Sequence, residues 1–273
     1  MFSSMNTPIR DWTGQRIWIV GASSGIGEAL ARQALAAGAQ VAISARRVER
    51  LERIADTNIA ALVAPLDVLD PQAWASAYQK IRAQFGHIDL LIFCAADYRP
   101  ERSWEVSMAA AESTLRLNLA SVYGALETVL PDMLARGCGG IALVASVAGY
   151  MGLPNASTYG PSKAGLINLA ENLYGDLHPK GLNVYLINPG FVKTELTKKN
   201  TFPMPGLQSP HQAAVAIMRG IRAGCFEIHF PWHFTAMLKV VRHLPYRLRF
   251  ALLSRFFKTA GAPWTIYWTG TRR

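Results

Sequence analysis

The segment Ile17-Trp18-Ile19-Val20-Gly21-Ala22-Ser23-Ser24-Gly25-Ile26-Gly27 runs from a short apolar, β-branched stretch into three closely spaced glycines, and then opens into the helical pattern of Glu28 to Ala37. That order of residues predicts a strand, a tight turn and a helix. Glycines in such a turn let the backbone bend sharply and approach a ligand, while the free N–H groups and dipole of the helix start favour negative charge. A plain strand-to-helix turn also uses glycine. Three of them at the first such junction point instead to a loop that cradles a pyrophosphate.

Outward from this loop the alternation repeats. Apolar runs at Val41 to Ser44, Ala61 to Val63, Leu90 to Phe93, Ile141 to Ala145 and Val184 to Ile187 predict strands, with helical periods at Gln72 to Phe85 and Ser157 to His178. A last strand is expected at Phe226 to Phe230, after a helix from Pro210 to Ala223. Parallel strands joined by crossover helices bury both faces of the sheet, so the expected class is α/β, a doubly wound, mostly parallel Rossmann-type sheet. A chain of 273 residues that is 51% hydrophobic and 17% charged suits one such domain and excludes disorder over most of its length. Residues 191–209 include Pro203, Pro205 and Gly206 and show no period. A segment of that length is read as a lid, or else as an irregular surface connection.

Cys94, Cys138 and Cys225 are far apart and lack any C-x-x-C or His-rich surroundings, so they are expected to be reduced, buried small residues, with no metal site. Met1 to Arg16 is polar and broken by Pro8, and no apolar run is long enough for a signal peptide or a membrane-spanning helix. The expected location is cytoplasmic, with peripheral contact at the inner face of the membrane as an option set by the tail.

The net charge of +10 is unevenly placed. After Glu227 there is no acidic residue, and Lys239, Arg242, Arg247, Arg249, Arg255, Lys258, Arg272 and Arg273 give the last 46 residues +8. This compositional step divides the chain into a catalytic domain at 1–230 and a basic extension at 231–273. Within 232–258, Phe234, Met237, Leu238 and Val241 form one apolar stripe. Beyond Pro245, a helix would set Leu248, Phe250, Leu252, Leu253, Phe256 and Phe257, with Arg249 as the exception among them, against Arg247, Ser254, Arg255 and Lys258. Such a helix pair suits an anionic membrane surface, or a face that packs on the body or on another subunit. Nucleic acid is disfavoured, because the charge is confined to an amphipathic tail.

The spacing of Gly21, Gly25 and Gly27 is G-x-x-x-G-x-G, and it is followed in order by Asp67, Asn118, Ser146, Tyr159-x-x-x-Lys163 and Asn188-Pro189-Gly190. This set resembles the short-chain dehydrogenases/reductases over about residues 14 to 230. The resemblance implies a nicotinamide cofactor held by Gly21, Ser23, Ser24, Gly25, Ile26 and Gly27, by Asp67 and Val68 at the adenine, and by Ala95. Pro189, Gly190, Val192 and Thr194 would contact the nicotinamide end. It also implies a homo-oligomer, a dimer or tetramer. Two motifs depart from the family: Val20 stands where a Thr normally precedes the first glycine, and Phe93-Cys94-Ala95-Ala96 replaces N-N-A-G. Polar groups lost from both sides of one contact imply a compensating apolar one.

At the end of the second strand, a carboxylate would bind the adenosine ribose and repel a 2′-phosphate. Arg46 and Arg47 stand there instead, and guanidiniums suit a phosphate, so the expected cofactor is NADP(H). Both arginines merely solvated at a helix start is the alternative.

Tyr159 and Lys163 are four apart on a helical stretch and share a face. A neighbouring ammonium favours the phenolate, which brings a phenol into useful acid/base range. Ser146 ends the fifth strand, where open α/β sheets place their ligands, and can steady a substrate oxygen. In the family, Asn118 completes the catalytic group by positioning a relay water, and Lys163 also bonds the nicotinamide ribose. The expected activity is carbonyl–alcohol interconversion on a small, lipophilic substrate with Tyr159 as general acid/base. The competing reading is a silent NADP(H)-binding sensor or scaffold.

Overall fold

The structure is a computed structural model that describes residues 4–56 and 58–257, apart from the side chains of Phe256 and Phe257. Seven strands form one sheet: β1 (Arg16–Val20), β2 (Gln40–Ser44), β3 (Ala61–Val63), β4 (Leu90–Phe93), β5 (Gly139–Val144), β6 (Leu182–Pro189) and β7 (Glu227–Phe230). Their order is β3-β2-β1-β4-β5-β6-β7, and every neighbouring pair is parallel. Parallel neighbours require crossovers. Those crossovers contain α1 (Gly25–Ala36), α2 (Val48–Ala55), α3 (Pro71–Phe85), α4 (Met108–Leu115), α5 (Ser121–Arg136), α6 (Tyr159–Leu177) and α7 (Pro210–Arg222). The doubly wound α/β fold expected from the alternation is therefore the fold observed.

Because both faces of the sheet are covered, two apolar clusters form. Trp18, Leu91, Phe93 and Leu143 point to the layer of α3, α5 and α6, whereas Ile17, Ile19, Ile43 and Ile187 point to the layer of α1, α2 and α7. The side-chain period of two along each strand produces that division. Helix starts are defined by local chemistry: Asp70 accepts from the Gln72 N–H at 2.9 Å ahead of Pro71, and Ser209 forms a reciprocal cap with Gln212 ahead of Pro210.

The chain reverses its lateral direction between β1 and β4. Ligands of open α/β sheets bind at this switch point, beyond the carboxyl ends of the strands. Gly21 leaves β1 there with φ +89°, and a Cβ on it would lie 2.6 Å from the Ala95 nitrogen that follows β4. Any larger residue would force the two strand ends apart.

Two further helices, α8 (Trp232–Arg242) and α9 (Tyr246–Phe257), follow β7 and are separated by the turn at Pro245. Their docking differs from the single apolar face expected of the second. Leu238 and Leu253 are buried in the core cluster, and Phe234 and Val241 pack against it, while Leu248, Phe250 and Leu252 are exposed. The body thus takes Leu253 from α9 and leaves Leu248, Phe250, Leu252 and Arg255 exposed. Phe256 and Phe257 of that expected face, and Lys258 of the basic face, lie outside the described side chains. No helix among the described residues is long and apolar enough to cross a membrane.

The three cysteines are free, as expected, but the expectation of burial needs correcting. Cys138 and Cys225 are exposed, and Cys94 is half-buried. Both exposed thiols sit in turns that deliver a helix to the next strand, where the backbone meets solvent.

Candidate active site

A single cleft over the strand ends gathers most of the residues singled out in the sequence. Its walls include Gly21, Ser23, Ser24, Gly25, Ile26, Gly27, Arg46, Arg47, Asp67, Val68, Ala95, Ser146, Tyr159, Lys163, Pro189, Gly190, Val192 and Thr194. Asn118 is not in the wall but lies directly behind it.

The glycine loop fits a dinucleotide. Ser24 is the N-cap of α1, yet its side chain makes no capping hydrogen bond, so the first N–H groups of the helix are left to whatever occupies the cleft. A Cβ on Gly27 would come within 2.3 Å of the Gly21 carbonyl oxygen. Asp67 does not start a helix, since Asp70 caps α3; its Oδ1 accepts the Leu69 N–H at 3.0 Å while the residue lines the cleft. Arg46 is exposed and has no hydrogen-bond or ion-pair partner among the described residues. Arg47 is fully engaged: it donates to Ser23 Oγ, to Ser24 Oγ at 2.9 Å and to Glu195 at 2.9 Å.

The chemical end is built by β5 and α6. Ser146 follows β5, and its Oγ accepts the Ala148 N–H at 3.1 Å, which fixes its hydroxyl at the cleft wall. Tyr159 opens α6, and Lys163 lies one turn along with its Nζ 5.6 Å from the centre of the Tyr159 ring. The ammonium is buried and donates to the Val144 carbonyl at 2.9 Å, leaving further N–H groups for the cleft. The room comes from Gly149, where a Cβ would strike the backbone of Lys163 at 2.7 Å.

Burial pushes the Tyr159 phenol up to about 12, although the Ser146 hydroxyl works the other way, and burial lowers the Lys163 ammonium to about 8. Desolvation disfavours the charged form of each group. Burial thus favours the neutral phenol at Tyr159 and works against the charge on Lys163. A neutral phenol beside a cleft can donate a proton. Cys94, also at the wall, is a neutral thiol, held at about 12 by burial against the pull of Lys163.

Asn118 is wholly buried, unlike an ordinary helical asparagine. It lies in a π turn, 116–120, that joins α4 to α5. Its side chain exchanges two 2.8 Å hydrogen bonds with the backbone of Asp97 and donates to Ser162 Oγ at 3.2 Å. A widened turn aims this amide between the β4 loop and α6.

A family model described as short chain dehydrogenase matches residues 15–203. The chain belongs to the short-chain dehydrogenases/reductases. It is an oxidoreductase of that family, and the cofactor of the family is a nicotinamide dinucleotide. An uncharacterized oxidoreductase of Myxococcus xanthus is 33% identical over 83% of this chain and 91% of its own length. The 3-oxoacyl-(acyl-carrier-protein) reductase of Salmonella typhimurium is 32% identical over 68% of this chain and 76% of its own. In fold, a short-chain dehydrogenase from Streptomyces avermitilis superposes with a TM-score of 0.77, at 23% identity, over 90% of this chain and 98% of that one.

The two departures of this short-chain dehydrogenase from its family form one apolar corner. Phe93 stacks on Trp74 at 6.4 Å, Trp74 meets Trp18 edge-on at 5.6 Å, and Val20 is buried in the same cluster. Cys94 N still donates to the Val20 carbonyl at 2.8 Å, so the strand ends keep their register without the polar side chains.

Several wall residues escaped the sequence reading. Tyr98 packs edge-on against Tyr159 at 5.0 Å between ring centres, with its hydroxyl on the Asn155 carbonyl. Phe191 and Phe202 come from the 191–209 segment, which is pinned over the cleft by Lys199 donating to the Tyr98 carbonyl at 2.7 Å. An aromatic residue in a loop of no period carries no local signal of what it faces. Glu227 is another case. Burial opposes its charge, but hydrogen bonds from Lys239, Tyr150 and Asn188 outweigh this and hold its carboxyl below the usual range. It fastens α8 to the end of β6, next to Pro189.

Proposed function

We propose that this chain is an NADPH-dependent reductase of ketones or aldehydes on lipophilic compounds. One observation carries the reading: the half-buried Tyr159 phenol lines the cleft together with Ser146, and the buried Lys163 Nζ lies 5.6 Å from its ring centre. A nicotinamide dinucleotide held by the glycine loop and by Lys163 would supply the hydride for the carbonyl carbon. Tyr159 donates its proton to the carbonyl oxygen as negative charge develops there, and the Ser146 hydroxyl holds that oxygen in place. Lys163, a cation at neutral pH, stabilises the tyrosinate left behind and offers N–H groups to the nicotinamide ribose. Asn118 orders the loop after β4 and can hold a water near the lysine.

Two observations support the finer points. Arg46, just past the end of β2, lines the cleft and has no partner among the described residues, at a place where a carboxylate would discriminate against a 2′-phosphate. Beyond Tyr159 the wall is Tyr98, Leu153, Pro154, Leu196 and Phe202, a surface that suits an apolar substrate. One relative is named as a reductase of 3-oxoacyl groups, which makes 3-oxoacyl thioesters and long-chain ketones the first compounds to try. NADPH oxidation followed at 340 nm, with the alcohol product identified by mass spectrometry, tests the proposal. No alcohol from any compound of such a panel would favour the silent sensor.

A second part of the reading concerns the tail. Trp232, Val240, Tyr246, Leu248, Phe250 and Leu252 are exposed on α8 and α9 among the exposed Arg242 and Arg255. Phe234 of α8 also packs on Phe191 of the cleft wall at 5.6 Å. This combination suits an anionic bilayer and would bring the cleft mouth to it. The same apolar side chains would serve a subunit contact in a homo-oligomer.

A further inference from the structure

Glu195 belongs to the segment that covers the cleft, while its partners belong to the adenosine end. Its Oε2 accepts from Arg47 Nη1 at 2.9 Å and its Oε1 from Arg50 Nη1 at 2.7 Å, one guanidinium to each oxygen. Arg47 spends its other nitrogens on the hydroxyls of Ser23 and Ser24 in the glycine loop. Glu195, Arg47, Arg46 and both serines line one wall of the cleft.

The three side chains of this cluster are each about two-fifths to one-half exposed, so the pairs contribute little to the stability of the fold. Their arrangement has a clearer meaning for binding. A carboxylate held between two guanidiniums, within a site built from two loop serines, occupies donors that suit a phosphate. The hydrogen bonds from Arg47 and Arg50 hold that carboxyl down at about 2, so it is an anion at neutral pH.

We propose that Glu195 is an internal competitor for the 2′-phosphate of NADP(H) and thereby sets how strongly the chain prefers the phosphorylated cofactor. The proposal rests on the reading that the arginines after β2 receive that phosphate. Arg46 meets it without losing another partner. Arg47 can turn Nη1 to it only by giving up Glu195, and the anion that replaces the carboxylate carries more charge. The discrimination between the two cofactors is therefore smaller than the guanidiniums alone would give. When the exchange takes place, Glu195 keeps only its pair with Arg50.

The test uses fragments that reach the adenosine end alone, 2′,5′-ADP and ADP, titrated by calorimetry into the full chain, E195Q and E49Q. Glu49 lies on the same helix as Arg50, and no described ion pair joins it to either arginine, so E49Q removes an equal charge without freeing a donor. E195Q should bind 2′,5′-ADP about fivefold more tightly, the scale of one exposed ion pair, with ADP unchanged and E49Q like the unmodified chain. Weaker or unaltered 2′,5′-ADP binding in E195Q overturns the proposal. So does an equal gain for ADP, or an equal gain in E49Q, either of which would mean only a change in the general field. If the unmodified chain shows no preference for 2′,5′-ADP over ADP, the cofactor reading falls and the proposal with it. A clear preference that E195Q leaves unaltered removes the proposal alone.

Discussion

Lys163→Met separates what the buried ammonium costs from what it does. The side chain is 2% exposed, and burial takes its ammonium from an ordinary 10.5 down to about 8. A displacement of that size means that about 3 kcal/mol is held against folding at neutral pH. Methionine fills similar space without a charge, but it leaves the Val144 carbonyl without its 2.9 Å donor, a loss of about 1–2 kcal/mol. The variant should therefore be more stable than the parent at pH 7, by about 1–2 kcal/mol, while losing turnover. Below pH 8 the lysine is protonated in the folded and unfolded chains alike, and the cost is complete. From pH 8 to 10.5 the folded protein has released a proton that the unfolded chain still holds, so the parent gains stability as pH rises. Above 10.5 the group is neutral in both, and the advantage of methionine is gone. Urea melts of both proteins at pH 7 and 10.5, without added cofactor, measure this directly. A variant less stable than the parent at pH 7, or a difference that ignores pH, would refute the view of Lys163 as a cation held against its desolvation cost.

Three other outcomes follow from the same geometry. Arg46→Ala should weaken NADPH binding by about 1–3 kcal/mol, the value of a charge-assisted hydrogen bond, and leave NADH nearly unaffected; equal dissociation constants in the parent would remove the basis for this. Gly27→Ala sets a Cβ against the Gly21 carbonyl and should abolish cofactor binding with a lowered melting temperature, so ordinary NADPH titration of this variant would contradict the fitted loop. The full chain should sediment with anionic vesicles, less in high salt, and an R242E/R255E variant should not; solution behaviour with both anionic and neutral vesicles would turn the tail into a protein–protein surface.

Much of the fold was legible because the strands are β-branched runs whose burial on both faces leaves an unbroken apolar signature, as in Val41 to Ser44. The glycine loop was legible for a different reason, since only Gly fits where the Gly21 Cβ would strike Ala95. What the sequence hid depends on neighbours distant along the chain. Asn6, within an unremarkable polar terminus, exchanges hydrogen bonds with Val184 at 2.8 and 3.0 Å. Leu253 reads as part of an exposed stripe until the body is there to bury it. Ion pairing of Glu195 with Arg47 spans 148 residues, beyond any local pattern. The burial acting on Tyr159 and Lys163 is hidden in the same way, because a four-residue spacing shows that the two side chains share a face, whereas desolvation exists only in the folded cleft.

The central claim is that Tyr159 delivers the proton during carbonyl reduction. It is tested by comparing the parent and Tyr159→Phe for NADPH binding, by fluorescence, and for single-turnover NADPH oxidation with a ketone that the parent reduces. Removing the phenol oxygen takes away the donor and leaves the ring against Tyr98, so binding should be nearly intact and hydride transfer should fall by about 100-fold or more. Hydride transfer retained at close to the parent rate would contradict the assignment of Tyr159.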